Sequence, residues 1–468
     1  MKVEARTLQY VAEACGGELR AGAPDTLVQR VCTDSRDVRP GDLFIALKGE
    51  RFDAHDYLPD AAKQGAAALV MGFPRAAAIP AGCGAVLVDD TRKALGQLAA
   101  RYRRDFDIPV IAVAGSNGKT STKELLATIL SQRAQTLWSE ASFNNDIGVP
   151  LSLLKLEAQH RAAVFEIGTN HPGELAPLIQ IIQPRLGIIT SIGREHLEFF
   201  GDLAGVAREE GTLAEMLPAD GKLFLNGDSP MMDEIVRRSR APVVRVGFHA
   251  GNDWCAWDVH LDAEGTRFTV ESPFRALNGE YGMKLLGSHQ VVNAMLAMAV
   301  AAELGLSRGQ IAAGLAAAKP AKMRLQLRAA PGGVQVLDDS YNANADSMLA
   351  ALETLRDLPC TGRRVAVLGV MAELGEQSEP AHAEVGRVTA QTGVGRLFLV
   401  GQHAETTAAA AIEGGLDSSA VEVFADVDAA LPAIRAAVQP GDVVLVKASR
   451  SAKLERVVDV LMGAGGKI

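Results

Sequence analysis

The chain has 468 residues, 48% hydrophobic and 22% charged, which is enough for about three domains with real cores at ~150 residues each. A formal net charge of −9 with no long Lys/Arg run argues against a nucleic-acid partner, and no apolar run reaches the ~18 residues of a membrane span. The five cysteines, Cys15, Cys32, Cys83, Cys255 and Cys360, are scattered without a C-x-x-C pair, which argues against a disulfide framework or zinc site, and they read as small buried residues.

The opening stretch MKVEARTLQYVAEACGG carries early acids and no apolar core, so it is not read as a signal peptide, and a cytoplasmic protein with access to ATP is expected. Residues 1–104 read as a small α/β module. A Pro40-Gly41 turn precedes a strand over 43–47, a helical stretch DAAKQGAA follows, and a second strand covers 68–71. FPRAAAIPAGCG is a surface loop by composition, and Leu95, Leu98, Ala99 and Tyr102 give helical spacing over 92–106. Residues 105–318 alternate strands, expected at 110–114, 163–167, 186–190 and 223–225, with segments long enough for crossover helices. These strands are apolar on consecutive positions, as parallel strands buried on both faces are. An Ala-rich helix over 293–303 leads toward the end of this unit. Residues 319–468 repeat the alternation, with strands at 334–337, 364–368, 397–400 and 443–446, and predict a second doubly wound domain. The Ala-rich 406–416 reads as helix.

The most informative stretch is AVAGSNGKTSTKELLATIL, residues 112–130. A strand ends in Gly-Ser-Asn-Gly-Lys-Thr-Ser, and Leu125, Leu126, Ile129 and Leu130 then share a helix face. This strand–loop–helix setting is that of a phosphate loop, although Val113 stands where the usual G-x-x-x-x-G-K-[ST] pattern has its first Gly. Gly115 and Gly118 let backbone N–H groups turn inward, and Ser116, Asn117 and Ser121 complete the ATP-binding loop. Lys119 would neutralise the outer phosphates, and the Thr120 hydroxyl would coordinate Mg²⁺. No guanine-reading N-K-x-D is present, so a GTPase is disfavoured, but the loop alone does not separate a ligase from a kinase or a motor. Glu166 ends the strand AAVFEI before Gly168, and His196 in GREHLEFFG is expected in the same place after the next strand. Either alone reads equally as a solvated strand-end or capping residue, but two such polar groups at neighbouring strand tips favour a cation site.

Taken in order, TDSRDVRPGDLFIALKG, AGSNGKTS, SFNNDIGVPLSLL, FEIGTNHPGEL, EHLEFFGDLAGVA, GSHQVVNAMLA, LDDSYNANADSM, MAELG and VKASRS resemble the Mur ligase family over the whole chain. The family resemblance implies three α/β domains: an N-terminal UDP-sugar domain, 1–104; a central P-loop ATPase domain with a mostly parallel sheet, 105–318; and a C-terminal Rossmann-like domain, 319–468. NNDIGVP, E-x-G-x-N-x-x-G-E, DDSYNAN and MAELG imply the member that joins D-alanyl-D-alanine to UDP-MurNAc-tripeptide through an acyl phosphate, with ATP and Mg²⁺. DDSYNAN and MAELG argue against the ligase adding the third residue and against a folylpolyglutamate synthase. By the same resemblance, Lys119, Glu166 and His196 serve catalysis, and Thr120, Glu166 and His196 the metal. His289 and Asn293 approach the adenine, and Arg324 and Asp339 reach the nucleotide from the third domain. Ser35 and Arg36 hold the UDP end; Asn144, Asn145, Tyr341, Asn342 and Asn344 contact substrate; Lys447, Ser449 and Arg450 face the dipeptide pocket. The partners implied are the two substrates, with no nucleic acid and no membrane insertion, and a monomer is expected.

The sequence departs from the family at three places. Many members use a carbamylated lysine about a dozen residues past the His, but no lysine occurs from 156 to 221. Glu210 takes the position, carrying a carboxylate without CO₂, and is expected to help hold the metal. Met323 stands where Gly is usual, and Val370 where Asp is usual before MAELG, so either could alter its loop.

Overall fold

Aliphatic runs punctuated by Gly and Pro build the strands, and Ala- and Leu-rich segments between them build the helices. The computed structural model describes residues 4–463. The chain packs into two units: the first runs through Val113 with Ala134–Thr169 and Gly173–Gly187; the second holds Ala114–Arg133, Asn170–Pro172 and the chain from Ile188 on.

In the first unit, β1 (Glu18–Ala21), β2 (Arg30–Cys32), β3 (Asp42–Ile45), β4 (Ala68–Gly72) and β5 (Gly84–Val88) form a sheet in the order β1-β5-β4-β3-β2. It is parallel except for β1. Helix α1 (Thr91–Arg103) is capped by Asp90, which accepts from Arg92 N and Lys93 N. It buries Leu95, Leu98, Ala99 and Tyr102, the face its spacing predicts, and Tyr102 Oη donates to Leu156 O at 2.7 Å. The Pro-rich segment after β4 opens with a 3₁₀ turn, Phe73–Ala78, rather than loop throughout. Strand β6 (Val110–Ala114) leads into the phosphate loop; β7 (Thr136–Trp138) and β8 (Ala162–Glu166) follow it in the chain. β8 pairs in parallel with both, setting Glu166 opposite Val113. The next strand, β9, is Leu186–Ile189.

In the second unit, the 12-residue α2 (Lys119–Leu130) follows the loop. Strands β10 (Lys222–Asn226), β11 (Val243–Gly247), β12 (Trp254–Asp262), β13 (Gly265–Glu271) and β14 (Gly279–Met283) pair in sequence order, parallel up to β12 and antiparallel after it. The antiparallel end was not expected from the sequence. Helix α3 (Ser288–Glu303) is buried along most of its length. A second sheet contains β15 (Gln326–Ala329), β16 (Gln335–Asp339), β17 (Arg364–Gly369), β18 (Val394–Val400), β19 (Val421–Phe424) and β20 (Val443–Lys447), in the order β15-β16-β20-β17-β18-β19. Only β15 runs antiparallel to its neighbour. Val336, Val365, Val367, Phe398, Val444 and Val446 form its core on one face. Helices α4 (Ala345–Asp357) and α5 (Ser378–Gln391) belong to this part. Residues 406–413 are helical as expected. Cys15, Cys32 and Cys83 are buried, whereas Cys255, near the start of strand β12, and Cys360, in a loop, are only half-buried.

Candidate active site

The loop between β6 and α2 turns on two left-handed glycines, Gly115 (φ +112°) and Gly118 (φ +92°). A Cβ on Gly115 would stand 2.5 Å from Thr190 Oγ1, and one on Gly118 would stand 2.4 Å from Asn293 Oδ1. Neither position has room for a side chain, so the backbone itself faces what the loop binds. Lys119 opens α2, which aims helix N–H groups and the positive end of the dipole at the loop. The segment after β9 is stitched to this turn. Ser116 N donates to Ser191 O at 2.8 Å, Asn117 N to Ser191 Oγ at 2.9 Å, and Gly193 N to Ser116 Oγ at 2.9 Å.

Lys119 Nζ donates to Ser116 O at 3.1 Å and to Gly115 O, and pairs with Glu195 Oε2 at 3.5 Å. Glu210, at the end of helix Leu203–Glu210, is 1% exposed, and its Oε2 accepts from Gly115 N at 2.7 Å. Its Oε1 has no hydrogen-bond partner among the described residues. Desolvation pushes the Glu210 carboxyl up to about 8; Lys119 pulls it down, and Glu195 and Glu209 push it up. A buried, half-satisfied carboxyl beside one lysine and other carboxyls is a place that favours added positive charge. The residues present therefore fit a cation bound beside a phosphate.

Glu166 is 1% exposed at the end of β8, where its N–H donates to Ser139 Oγ at 3.0 Å and its Oε1 accepts from Asn144 Nδ2 at 2.9 Å. Asn144 thus orients Glu166. Asn145 Oδ1 caps Gly148 N at 2.8 Å. His196 does not stand at a strand tip as expected. Seven residues past the end of β9 at Ile189, it adopts φ +49° and opens the short helix Leu197–Phe200, because the 190–195 segment intervenes between the strand and the histidine. Its Nδ1 pairs with Glu373 Oε2, and its Nε2 makes no hydrogen bond among the described residues. A carboxylate holding one imidazole nitrogen orients the other toward a ligand. Among the described residues, no group of three or more His, Cys, Asp and Glu is placed to hold a metal ion by itself. A hydroxyl such as that of Thr120, and phosphate oxygens, would have to complete the set, as is usual for Mg²⁺.

Asn293 abuts Gly118, and Asn344 Nδ2 donates to Asn117 Oδ1 at 3.0 Å, so the DDSYNAN segment touches the phosphate loop. His289 is half-buried; desolvation pushes its imidazole down to about 4, Asp339 opposes this and Lys447 adds to it, so the ring is neutral at pH 7. Asp339 does not point outward. Its Oδ1 accepts from Leu325 N at 3.0 Å and its Oδ2 from Lys447 Nζ at 2.5 Å, because a lysine 1% exposed needs a counter-charge. Lys447 also donates to Asn342 O at 3.0 Å. Ser449 Oγ is likewise committed, donating to Ala343 O at 3.1 Å and accepting from Ala372 N at 2.9 Å. The expectation that Lys447 and Ser449 face an open pocket is therefore not met: both are internal struts between motif loops. Arg450 is exposed and pairs with Glu455 at 3.3 Å. Arg324 stacks over the Tyr341 ring at 4.2 Å. It lies between Met323 (φ +61°) and Leu325 (φ +46°), two left-handed residues in succession around it. Val370 is accommodated simply, its carbonyl accepting from Ser449 N at 2.9 Å. In the first unit, Ser35 O accepts from Gln64 Nε2 at 2.7 Å, and exposed Arg36 pairs with Asp34 at 2.7 Å.

Comparison with known proteins follows the same geometry. Residues 27–103 match the Mur ligase family catalytic domain, 113–301 the Mur ligase middle domain, and 323–450 the Mur ligase glutamate ligase domain. The UDP-N-acetylmuramoyl-tripeptide–D-alanyl-D-alanine ligase of Escherichia coli (strain K12) is 39% identical over 466 residues, 98% of this chain and 99% of the relative. The chain belongs to the Mur ligase family. The ligase of the same name from Bacillus subtilis (strain 168) is 34% identical over 98% of both chains. Among solved structures, MurF from Acinetobacter baumannii superposes with a TM-score of 0.88 at 34% identity, over 99% of this chain and 100% of that one. MurF ligase from Thermotoga maritima in complex with ADP gives 0.81 at 26% identity, over 93% and 97%. The fold is therefore the three-domain α/β Mur ligase fold with mostly parallel sheets. No helix among the described residues is long and apolar enough to cross a membrane. Two residues of this Mur ligase site escaped the sequence reading, Ser191 and Glu195. Glu195 adjoins His196 in the motif, which is the signal that was there to be read.

Proposed function

We propose that this chain is an ATP-dependent ligase joining D-alanyl-D-alanine to UDP-N-acetylmuramoyl-tripeptide in peptidoglycan precursor synthesis. The observation that carries the chemistry is the buried charge cluster at the phosphate loop, with Lys119 beside Glu195 and Glu210 docked on Gly115 N. The shared name of full-length relatives supports the substrate pair. In this reading the tripeptide carboxylate oxygen attacks the γ-phosphorus and ADP leaves, giving an acyl phosphate. The dipeptide amine then attacks the acyl carbon, loses a proton and expels inorganic phosphate. Two anions must meet in the first step, so Lys119 and the α2 dipole lower their repulsion. Thr120, Glu166, His196 and Glu210 would hold Mg²⁺, which would supply further charge neutralisation when bound. Glu210 stands in for a carbamylated lysine, so activity is independent of bicarbonate. His289 and Asn293 serve the adenine end and Arg324 the nucleotide; Ser35 and Arg36 serve the UDP end. Asn144 and Asn145, with Tyr341, Asn342 and Asn344, shape the substrate side. Asp339, Lys447 and Ser449 support it from behind, and Arg450 lies at its rim. We take the functional domains as 1–104, 105–318 and 319–468, a division supported by the gaps between the matched segments. The same reading takes the enzyme as a cytoplasmic monomer.

The test is phosphate release from ATP. It should require both UDP-tripeptide and D-alanyl-D-alanine, and Lys119→Ala should lower turnover ~100-fold or more, by analogy with loss of an oxyanion donor. Release without either substrate, or a near-wild-type Lys119→Ala rate, would overturn the reading.

A further inference from the structure

The segment 191–194 has two jobs at once. On one side, Ser191 and Gly193 are sewn to the phosphate loop by the bonds to Ser116 and Asn117. On the other side, Arg194 reaches into the C-terminal domain. Its backbone N–H donates to Asp346 Oδ2 at 2.7 Å and its Nε to Asp346 Oδ1 at 2.9 Å; its NH1 donates to Glu384 Oε2 at 2.5 Å. Asp346 lies in the first turn of α4 and Glu384 in α5, so one guanidinium joins two helices at once. Gly193 leaves no slack between these attachments. A Cβ there would stand 2.6 Å from Asp346 Oδ2 and 3.2 Å from Asn117 Nδ2.

We propose that Arg194 is a positioning residue: through Asp346 and Glu384 it fixes the C-terminal domain against the 191–193 segment and thereby sets the phosphate loop for nucleotide. The planar fork matters, because Asp346 is met by three N–H groups from one residue, the backbone N–H, Nε and NH2. A lysine keeps the charge but makes at most a single-point contact. The inference rests on the ligase reading only for turnover, since the effect on the loop is also read in nucleotide binding.

The experiment uses the full chain with Arg194→Ala, Arg194→Lys, Asp346→Asn and the Arg194→Ala/Asp346→Asn double variant. Calorimetry with Mg·ADP alone should show affinity weakened about 10-fold in Arg194→Ala and in Asp346→Asn, with Arg194→Lys between these and wild type. The double variant should be no weaker than either single one, since both remove the same contact. In turnover, kcat should fall by a similar factor while KM for D-alanyl-D-alanine moves less. ADP affinity within twofold of wild type in both single variants, or single effects that multiply in the double variant, would overturn the proposal. A purely structural role would lower melting temperature and leave ADP affinity and kcat in place. Failure of the ligase reading would leave the ADP measurements decisive.

Discussion

Replacing Asp339 by Asn takes the only carboxylate hydrogen-bonded to Lys447 among the described residues out of a site where the lysine is 1% exposed. The Asn can still accept from Leu325 N, so the turn keeps its bond. What is lost is the counter-charge. Two routes give the size of the effect. Removing one partner of a buried ion pair costs about 3–5 kcal/mol. Alternatively the lysine sheds its proton. The gap between its ordinary 10.5 and pH 7, at 1.36 kcal/mol per unit, makes that about 5 kcal/mol. The routes agree, and the second adds a signature. In the variant the unfolded lysine binds a proton that the folded one does not, so stability rises with pH by about 1.4 kcal/mol per unit up to 10.5. Burial lowers the pKa of Lys447 in the wild type too, against the pull of Asp339, so the wild type gains only as pH nears that lowered value. Urea unfolding of both proteins at pH 7 and pH 9 should therefore show a large defect at pH 7 that shrinks as pH rises. Lys447→Met with Asp339→Leu should recover much of the loss, since well-packed apolar groups can replace a buried pair. A defect below about 1 kcal/mol, or one equal at both pH values, would refute this account of the pair.

Three further outcomes follow from the site. Glu210→Gln should gain on the wild type as pH rises from 4.5 toward 8: the unfolded carboxyl ionises over that range while the folded one, desolvated by burial and beside Glu195 and Glu209, keeps its proton despite Lys119. Melting curves of the two proteins that run parallel across this window would remove the buried-acid argument. Gly118→Ala should cost about 1–3 kcal/mol in unfolding free energy, because Gly118 combines φ +92° with a Cβ position 2.4 Å from Asn293 Oδ1, and Mg·ADP affinity should fall with it. Met323→Gly should destabilise rather than stabilise. It relieves a left-handed cost of about 1–2 kcal/mol but gives up a side chain 8% exposed, worth about 1.5–3 kcal/mol. A rise in melting temperature would show that backbone strain outweighs packing here.

Much of the frame was legible because parallel strands buried on both faces leave continuous aliphatic runs. The strand over 110–114 falls where VIAVA predicts, and 364–368 and 443–446 each extend by one residue. The strands β12 to β14 were missed for the opposite reason. Trp254–Asp262 alternates or exposes its side chains and carries Asp258 and His260, so no apolar run marks it. The phosphate loop was legible because it is local, a strand, two glycines and a lysine within a few residues. Arg194 was not, because its partners lie 152 and 190 residues away and nothing near GREHLE announces them. Glu210 was reachable only by resemblance. Its local sequence, AREEG, reads as a solvated helix end, and burial comes from the loop that packs on it.

The DDSYNAN and VKASRS motifs meet inside the fold and bond to each other there. Asp339 and Lys447 form a closed pair inside the C-terminal sheet, opposite each other on β16 and β20. From there Asp339 holds Leu325 N, and Tyr341 N donates to Met323 O at 3.3 Å, so both ends of the 323–325 turn are tied to one strand end. Those two bonds, with the burial of Met323 and Leu325, oppose the cost of two left-handed non-glycine residues. The result is a turn that fixes where the Arg324 backbone leaves the sheet, while the Tyr341 ring fixes its guanidinium. An arginine on a free loop would lose rotamer freedom on meeting a phosphate; one pre-placed this way has already lost it during folding. The pair read in sequence as nucleotide and dipeptide contacts is, in the structure, the support of the turn that carries Arg324.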